Sequence, residues 1–284
     1  MTWKSFRFSI NNRPVGNCRL VILSILVCII LTFYLSPVVE IVQANATLLT
    51  ITATTTPDSQ IEIPKSGELL ILQPGNNARL ISPLKLQIVT KPGEDGLVRI
   101  ELIGHDNRLI FRKLMDYRSY KGKTMLLEQE IPFEIRNDET ARLQIVLEDA
   151  KGRTIFLNSI NLTLLGVRGS ESGGDEVTNP RFRFDKPDFS SEIKGRTLTI
   201  LCEIKPVNST PVIVELVAKD GHTLSSRLVP ISMPNNQTAF TTLKTELPFR
   251  VSAPTQVTLR IRQESNNLIK GTVLVWSNKI TISP

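Results

Sequence analysis

The chain has 284 residues, 41% of them hydrophobic, with 34 Lys and Arg against 27 Asp and Glu for a formal charge of +7. That length suits about two domains, each with its own core. Ordinary Gly and Pro contents exclude a collagen-like or wholly disordered chain, three Cys exclude a disulfide-rich scaffold, and two His leave little room for His-based catalysis or zinc.

The positive charge begins at the N-terminus. Residues 1–19 form a basic leader with Lys4, Arg7, Arg13 and Arg19, and the first acid is Glu40. Residues 20–39, LVILSILVCIILTFYLSPVV, carry no charge over twenty positions. As a helix this run spans about 30 Å, enough to cross a bilayer core. Bases before it and none directly after predict a cytoplasmic N-terminus and an extracytoplasmic bulk. Two readings compete. One is an uncleaved signal anchor, favoured by the long leader and long apolar run. The other is a secretory signal cut near Ala46, before Thr47, as the small residues of Ala44-Asn45-Ala46 allow. Residues 40–68 include TLLTITATTT and read as a Thr-rich stalk.

Two blocks follow, 69–165 and 181–284, joined by a Gly-, Ser- and acid-rich linker at 166–180. The blocks are copies. Lys91-Pro92 matches Lys205-Pro206, and Glu101-Leu102 matches Glu215-Leu216, both at an offset of 114. Phe133 matches Phe249 at 116, and Ser159 and Thr163 match Ser277 and Thr281 at 118. A drifting offset of this size signals a duplicated domain and not a solenoid.

The periodicity inside each copy is two. Leu84, Leu86 and Ile88 alternate with polar residues, as do Leu198, Ile200, Cys202 and Ile204. Such strands bury one face. His105-Asp106-Asn107-Arg108 and Lys219-Asp220-Gly221-His222 read as hairpin turns, because Asn and Gly accept positive φ. About seven strands per copy and no convincing helix predict an all-β chain: two tandem immunoglobulin-like β-sandwiches after one N-terminal transmembrane or signal helix.

The opening of the first copy, Ile71-Leu72-Gln73-Pro74-Gly75 and then Ile81-Ser82-Pro83-Leu84, resembles bacterial immunoglobulin-like domains of envelope proteins. It is similar in particular to the type in spore-germination-associated lipoproteins, which open P-x-x-G, then V-x-S-P, then a strand ending in Gly. Ile88-Val89 stand where that family places Gly, and the second copy, opening Pro187-Asp188-Phe189, lacks the Ser-Pro. The resemblance implies an extracytoplasmic binding or structural module.

Cys202 is the one Cys beyond the apolar run and falls on an inward position, where a thiol acts as a small hydrophobe. His105 and His222 read as solvated turn residues. Asp138-Glu139, Glu148-Asp149 and Asp175-Glu176 lack the ligand spacing of a calcium loop. No phosphate loop, nucleophile elbow or zinc motif is present, so no cofactor is expected and a cryptic enzyme is the least favoured reading. The densest candidate is Arg108 to Lys123. Its bases are Arg108, Arg112, Lys113, Arg118, Lys121 and Lys123, its one acid is Asp116, and Phe111, Tyr117 and Tyr120 are interleaved. Outside a cell this composition suits an anionic cell-wall polymer or another envelope protein, and nucleic acid is not expected. The competing reading is an edge strand guarded by charge.

Overall fold

A computed structural model describes residues 69–284 except 167–168, 176–179, 235–238 and 266. The leader, the apolar run and the Thr-rich stalk lie outside the described residues.

The first copy contributes eight strands: β1 (Leu70–Gln73), β2 (Ala78–Leu80), β3 (Leu84–Thr90), β4 (Leu97–Gly104), β5 (Leu109–Asp116), β6 (Met125–Ile131), β7 (Glu139–Glu148) and β8 (Thr154–Leu164). The second contributes β9 (Phe182–Lys186), β10 (Ile193–Lys194), β11 (Thr197–Ile204), β12 (Val212–Ala218), β13 (Thr223–Val229), β14 (Thr241–Pro248), β15 (Thr255–Glu264) and β16 (Thr272–Ser283). The described helical content is one 3₁₀ turn, Arg118–Tyr120.

Each half is a sandwich. In the first, β1-β3-β6 faces β8-β7-β4-β5. In the second, β14-β11-β9 faces β16-β15-β12-β13. Three strands facing four, with the second and third strand pairs crossing between layers, is an immunoglobulin-like strand order. Alternation does the sorting. Leu86, Ile100, Leu143 and Ile160 share one core, and Ile200, Val214, Leu259 and Trp276 share the other. Each such aliphatic side chain contributes roughly 1.5–3 kcal/mol on burial. The two predicted turns form as expected: Asn107 has φ +64° and Gly221 φ +101°. In both, the preceding Asp accepts the backbone N–H two residues on.

The inter-copy segment is not a free tether where it is described. Ser172 and Arg79 exchange backbone hydrogen bonds, as do Asp175 and Asn76. Gly174 adopts φ +75°, and a Cβ there would stand 2.6 Å from the Ala78 nitrogen, so only glycine fits this approach.

Period-two alternation carries no sign that the four-stranded layers merge. β8 and β16 pair antiparallel, with Leu157 opposite Val275 and Asn158 opposite Leu274. One ten-stranded sheet therefore runs through both halves, with β5 and β13 at the ends of its main path. The seam is pseudo-twofold. At the offset of 118, Leu157 and Val275 are equivalent residues facing each other. Ser159 Oγ donates to Val273 O at 2.6 Å, and its equivalent Ser277 Oγ donates to Ile155 O at 2.8 Å. Like contacting like is the mark of a twofold relation.

The hairpin ends reinforce the seam from both sides. Arg142 donates to Ile269 O and Lys270 O, and Asn107 bonds to Leu268 O and Lys270 N. In return, Lys151 and Arg153 donate to Lys219 O. Arg181 bonds to Asn158 Oδ1 and Ser159 O, and Phe156 packs against both cores.

Candidate functional site

The structure distributes the basic and aromatic segment over three environments. On β5, cross-strand register sets Phe111 opposite Leu102, so its ring packs on the first core. Arg112 stands opposite Glu101 and projects to the outer face, where its Nε donates to that carboxylate at 2.8 Å. Lys113 donates to Gln129 Oε1 at 2.6 Å. Arg108, in the preceding turn, pairs with Asp106 and Glu139, and the Asp106 hydrogen bond raises its pKa.

Beyond β5 the chain turns through the 3₁₀ segment. Tyr117 packs toward the first core, and burial raises its phenol pKa. Tyr120 lies edge-on to it at 6.3 Å and is half exposed. Arg118 pairs loosely with Asp116 at 3.5 Å. Lys121 and Lys123 are exposed and take part in no side-chain hydrogen bond or ion pair within the described residues. Nine candidates thus reduce to one free element, the turn Tyr120-Lys121-Gly122-Lys123. Strand parity carried the signal for part of this: Phe111 and Arg112 are adjacent on one strand and so face opposite ways.

That turn borders a groove between the sandwiches that sequence reading missed. Its volume is about 380 Å³. Leu147, Ile155 and Phe156 form an apolar floor, and Lys91, Lys121, Arg153 and Lys279 stand around it. Asp149 holds Arg153 at 2.6 Å, and Glu94 holds Lys279 at 2.6 Å. Burial pushes the Asp149 carboxyl up, but hydrogen bonds from Arg153 and the Lys151 N–H outweigh it and hold the pKa below the usual value. Among the described residues Lys91 and Lys121 have no such acid.

The other residues singled out from sequence are held locally. His105 Nδ1 lies 2.6 Å from Glu139, and His222 Nδ1 lies 2.5 Å from Asp220. Asp138 accepts the Gly166 N–H, Glu148 pairs with Arg99, and Asp175 accepts from Asn77. Cys202 is fully buried, and desolvation pushes its thiol pKa up to about 12. Among the described residues no group of three or more His, Cys, Asp or Glu is placed to hold a metal ion. Among them, too, no helix is long and apolar enough to cross a membrane.

No family model matches the chain. No curated protein matches it. Among solved structures, it is similar to the fibronectin(III)-like modules of Clostridium thermocellum CbhA at 12% identity and a TM-score of 0.21, over 76% of this chain and 93% of that one. It is similar to the Dpr2 Ig1-Ig2 and DIP-Theta Ig1-Ig3 complex at 11% identity and a TM-score of 0.20, over 76% and 98%. A match to red sea bream transglutaminase has 9% identity and a TM-score of 0.29, over 78% of this chain and 32% of that enzyme. The fold assignment rests on the strand order itself.

Proposed function

We propose that this chain is a non-catalytic, membrane-anchored, extracytoplasmic binding or scaffolding protein of the cell envelope. The carrying observation is the continuous sheet. Pairing of β8 with β16 joins the two sandwiches in one sheet, which suits a platform that holds a binding surface at a set orientation. The charge-free run at residues 20–39 and its basic leader supply the anchor and its orientation. The opening motif's resemblance to envelope modules of spore-germination lipoproteins agrees with that location. The surface offered to an anionic cell-wall polymer is the Tyr120–Lys123 turn, because its ammonium groups are not already neutralised.

Retention of the full chain on immobilised teichoic-type polymer tests the site. Lys121→Glu with Lys123→Glu should cut retention severalfold, and more per charge than Arg112→Glu with Arg118→Glu. Retention that ignores the lysine pair would overturn the assignment. A second reading, a cleaved, secreted accessory or inhibitory protein that binds another protein through a sheet edge, draws on Ala44-Asn45-Ala46. The mass of the mature chain separates the two: an N-terminus at Thr47 means secretion, and an intact leader means an anchor.

A further inference from the structure

We infer that the groove between the sandwiches binds a small amphiphilic anion, one carboxylate or phosphate head on a short alkyl tail. Two features that seldom coincide at a solvated surface meet here. The floor is apolar: Ile155 and Phe156 line it and are only partly buried, so apolar surface remains for a ligand to cover. The rim is cationic beyond its own acids. Arg153 and Lys279 are matched by Asp149 and Glu94, which leaves Lys91 and Lys121 as the excess. An anionic head satisfies that excess, and only an apolar tail gains from the floor. A hydrated polymer gains nothing from Ile155 or Phe156. A volume of about 380 Å³ and a position between domains are both typical of small-ligand sites.

The duplication supplies an internal control. Lys205, the counterpart of Lys91, lies 4.8 Å from the centre of the Phe240 ring, and burial lowers its pKa. Its ammonium is already covered by an aromatic face. In the first copy the same Lys-Pro step lines the groove, and among the described residues no ring or acid is paired with Lys91. The site is therefore specific to one side of the pseudo-twofold body. It shares Lys121 with the polymer surface but not Lys123, and the polymer does not use the floor.

The test is equilibrium dialysis of full chain in lipid nanodiscs against labelled octanoate and octyl phosphate, with empty nanodiscs subtracted. Acetate, inorganic phosphate and octyl glucoside serve as head-only and tail-only probes. One equivalent of octanoate or octyl phosphate should bind, the tighter of the two naming the head, and the head-only and tail-only probes should not compete. Lys91→Glu with Lys121→Glu should weaken binding roughly tenfold. Thr258→Trp, which fills the groove from an outward position on β15 and leaves every charge in place, should weaken it as much. Lys123→Glu should leave it unchanged while reducing polymer retention, so the two readings fail separately. No saturable binding above empty discs, equal binding of octyl glucoside, or binding that survives both groove variants would overturn the inference.

Discussion

The two sandwiches share a strand plan and solve its local problems differently. Each buries a carboxylate at the same position on the outer face of the merged sheet, Glu101 in the first and Glu215 in the second. Around Glu101 stand Arg99, Arg112 and Gln144; around Glu215 stand Arg260 and Arg262. The inner faces differ more. The first core is largely aliphatic, whereas the second wraps Trp276 with Phe182, Phe184 and Phe189 at centroid distances of 4.3–5.8 Å. Backbone register outlasted the side chains that fill it, because many apolar combinations of similar volume satisfy one strand plan.

The sharpest way to break the parallel is Trp276→Ala. It should cost about 3–5 kcal/mol and unfold the second half first, as read by urea denaturation with circular dichroism. An aliphatic truncation in the first core leaves a smaller cavity and should not reproduce that split. The buried carboxylates come next. Glu215→Gln should cost about 1–3 kcal/mol, and Glu101→Gln measurably less. Arg99 keeps Glu148 at 2.7 Å and Arg112 is more than half exposed, whereas among the described residues Arg260 has no second acid and only Arg262 keeps one, Glu264. Equal costs would mean that the two ionic clusters are interchangeable.

The seam serines sharpen the comparison from the other direction. Ser159→Ala and Ser277→Ala should each cost about 1 kcal/mol, and by nearly the same amount, because their contacts are equivalent. Comparing the thermal midpoints of the two single variants would expose any inequality. Smaller still is the Asp149 effect. Its folded pKa lies below the ordinary 3.8, so its contribution is present above that pH and is lost as pH falls below it. Asp149→Asn should remove about 0.5–1 kcal/mol at pH 7 and progressively less as pH falls below 3.8. Cys202 gives the smallest effect at neutral pH. Its thiol titrates near 9.0 when unfolded and about 12 when folded, so its contribution holds below pH 9 and is lost between 9 and 12. Cys202→Val should flatten the alkaline fall in urea midpoint without moving the midpoint at pH 7 by much.

The duplication, the strands and their inward faces were legible because period-two alternation and turn chemistry are local. Asp220-Gly221 announced its own turn, and Cys202 announced its burial by register alone. The seam was not legible. An edge strand such as β8 shows the same alternation whether its edge meets water or β16, since pairing uses backbone groups that every residue carries. Ser159 and Ser277 matched across the copies, but nothing local said that each hydroxyl would reach the other copy. The candidate site was legible as composition only. Neutralisation of Arg112 by Glu101 and of Arg108 by Glu139 depends on strands distant in sequence, so the two uncommitted lysines emerged only in three dimensions.

The join between β8 and β16 has a mechanical meaning. Tandem modules on an ordinary tether lengthen under load by straightening the tether, at small cost in force. Here a pull that separates the halves must first strip backbone hydrogen bonds, both seam serines, the Arg142 clasp on residues 269 and 270, and the Arg153 reach to Lys219. These yield together, because they lie across one another. The body would then hold its length up to a threshold and extend abruptly beyond it, in the manner of a fuse rather than a spring.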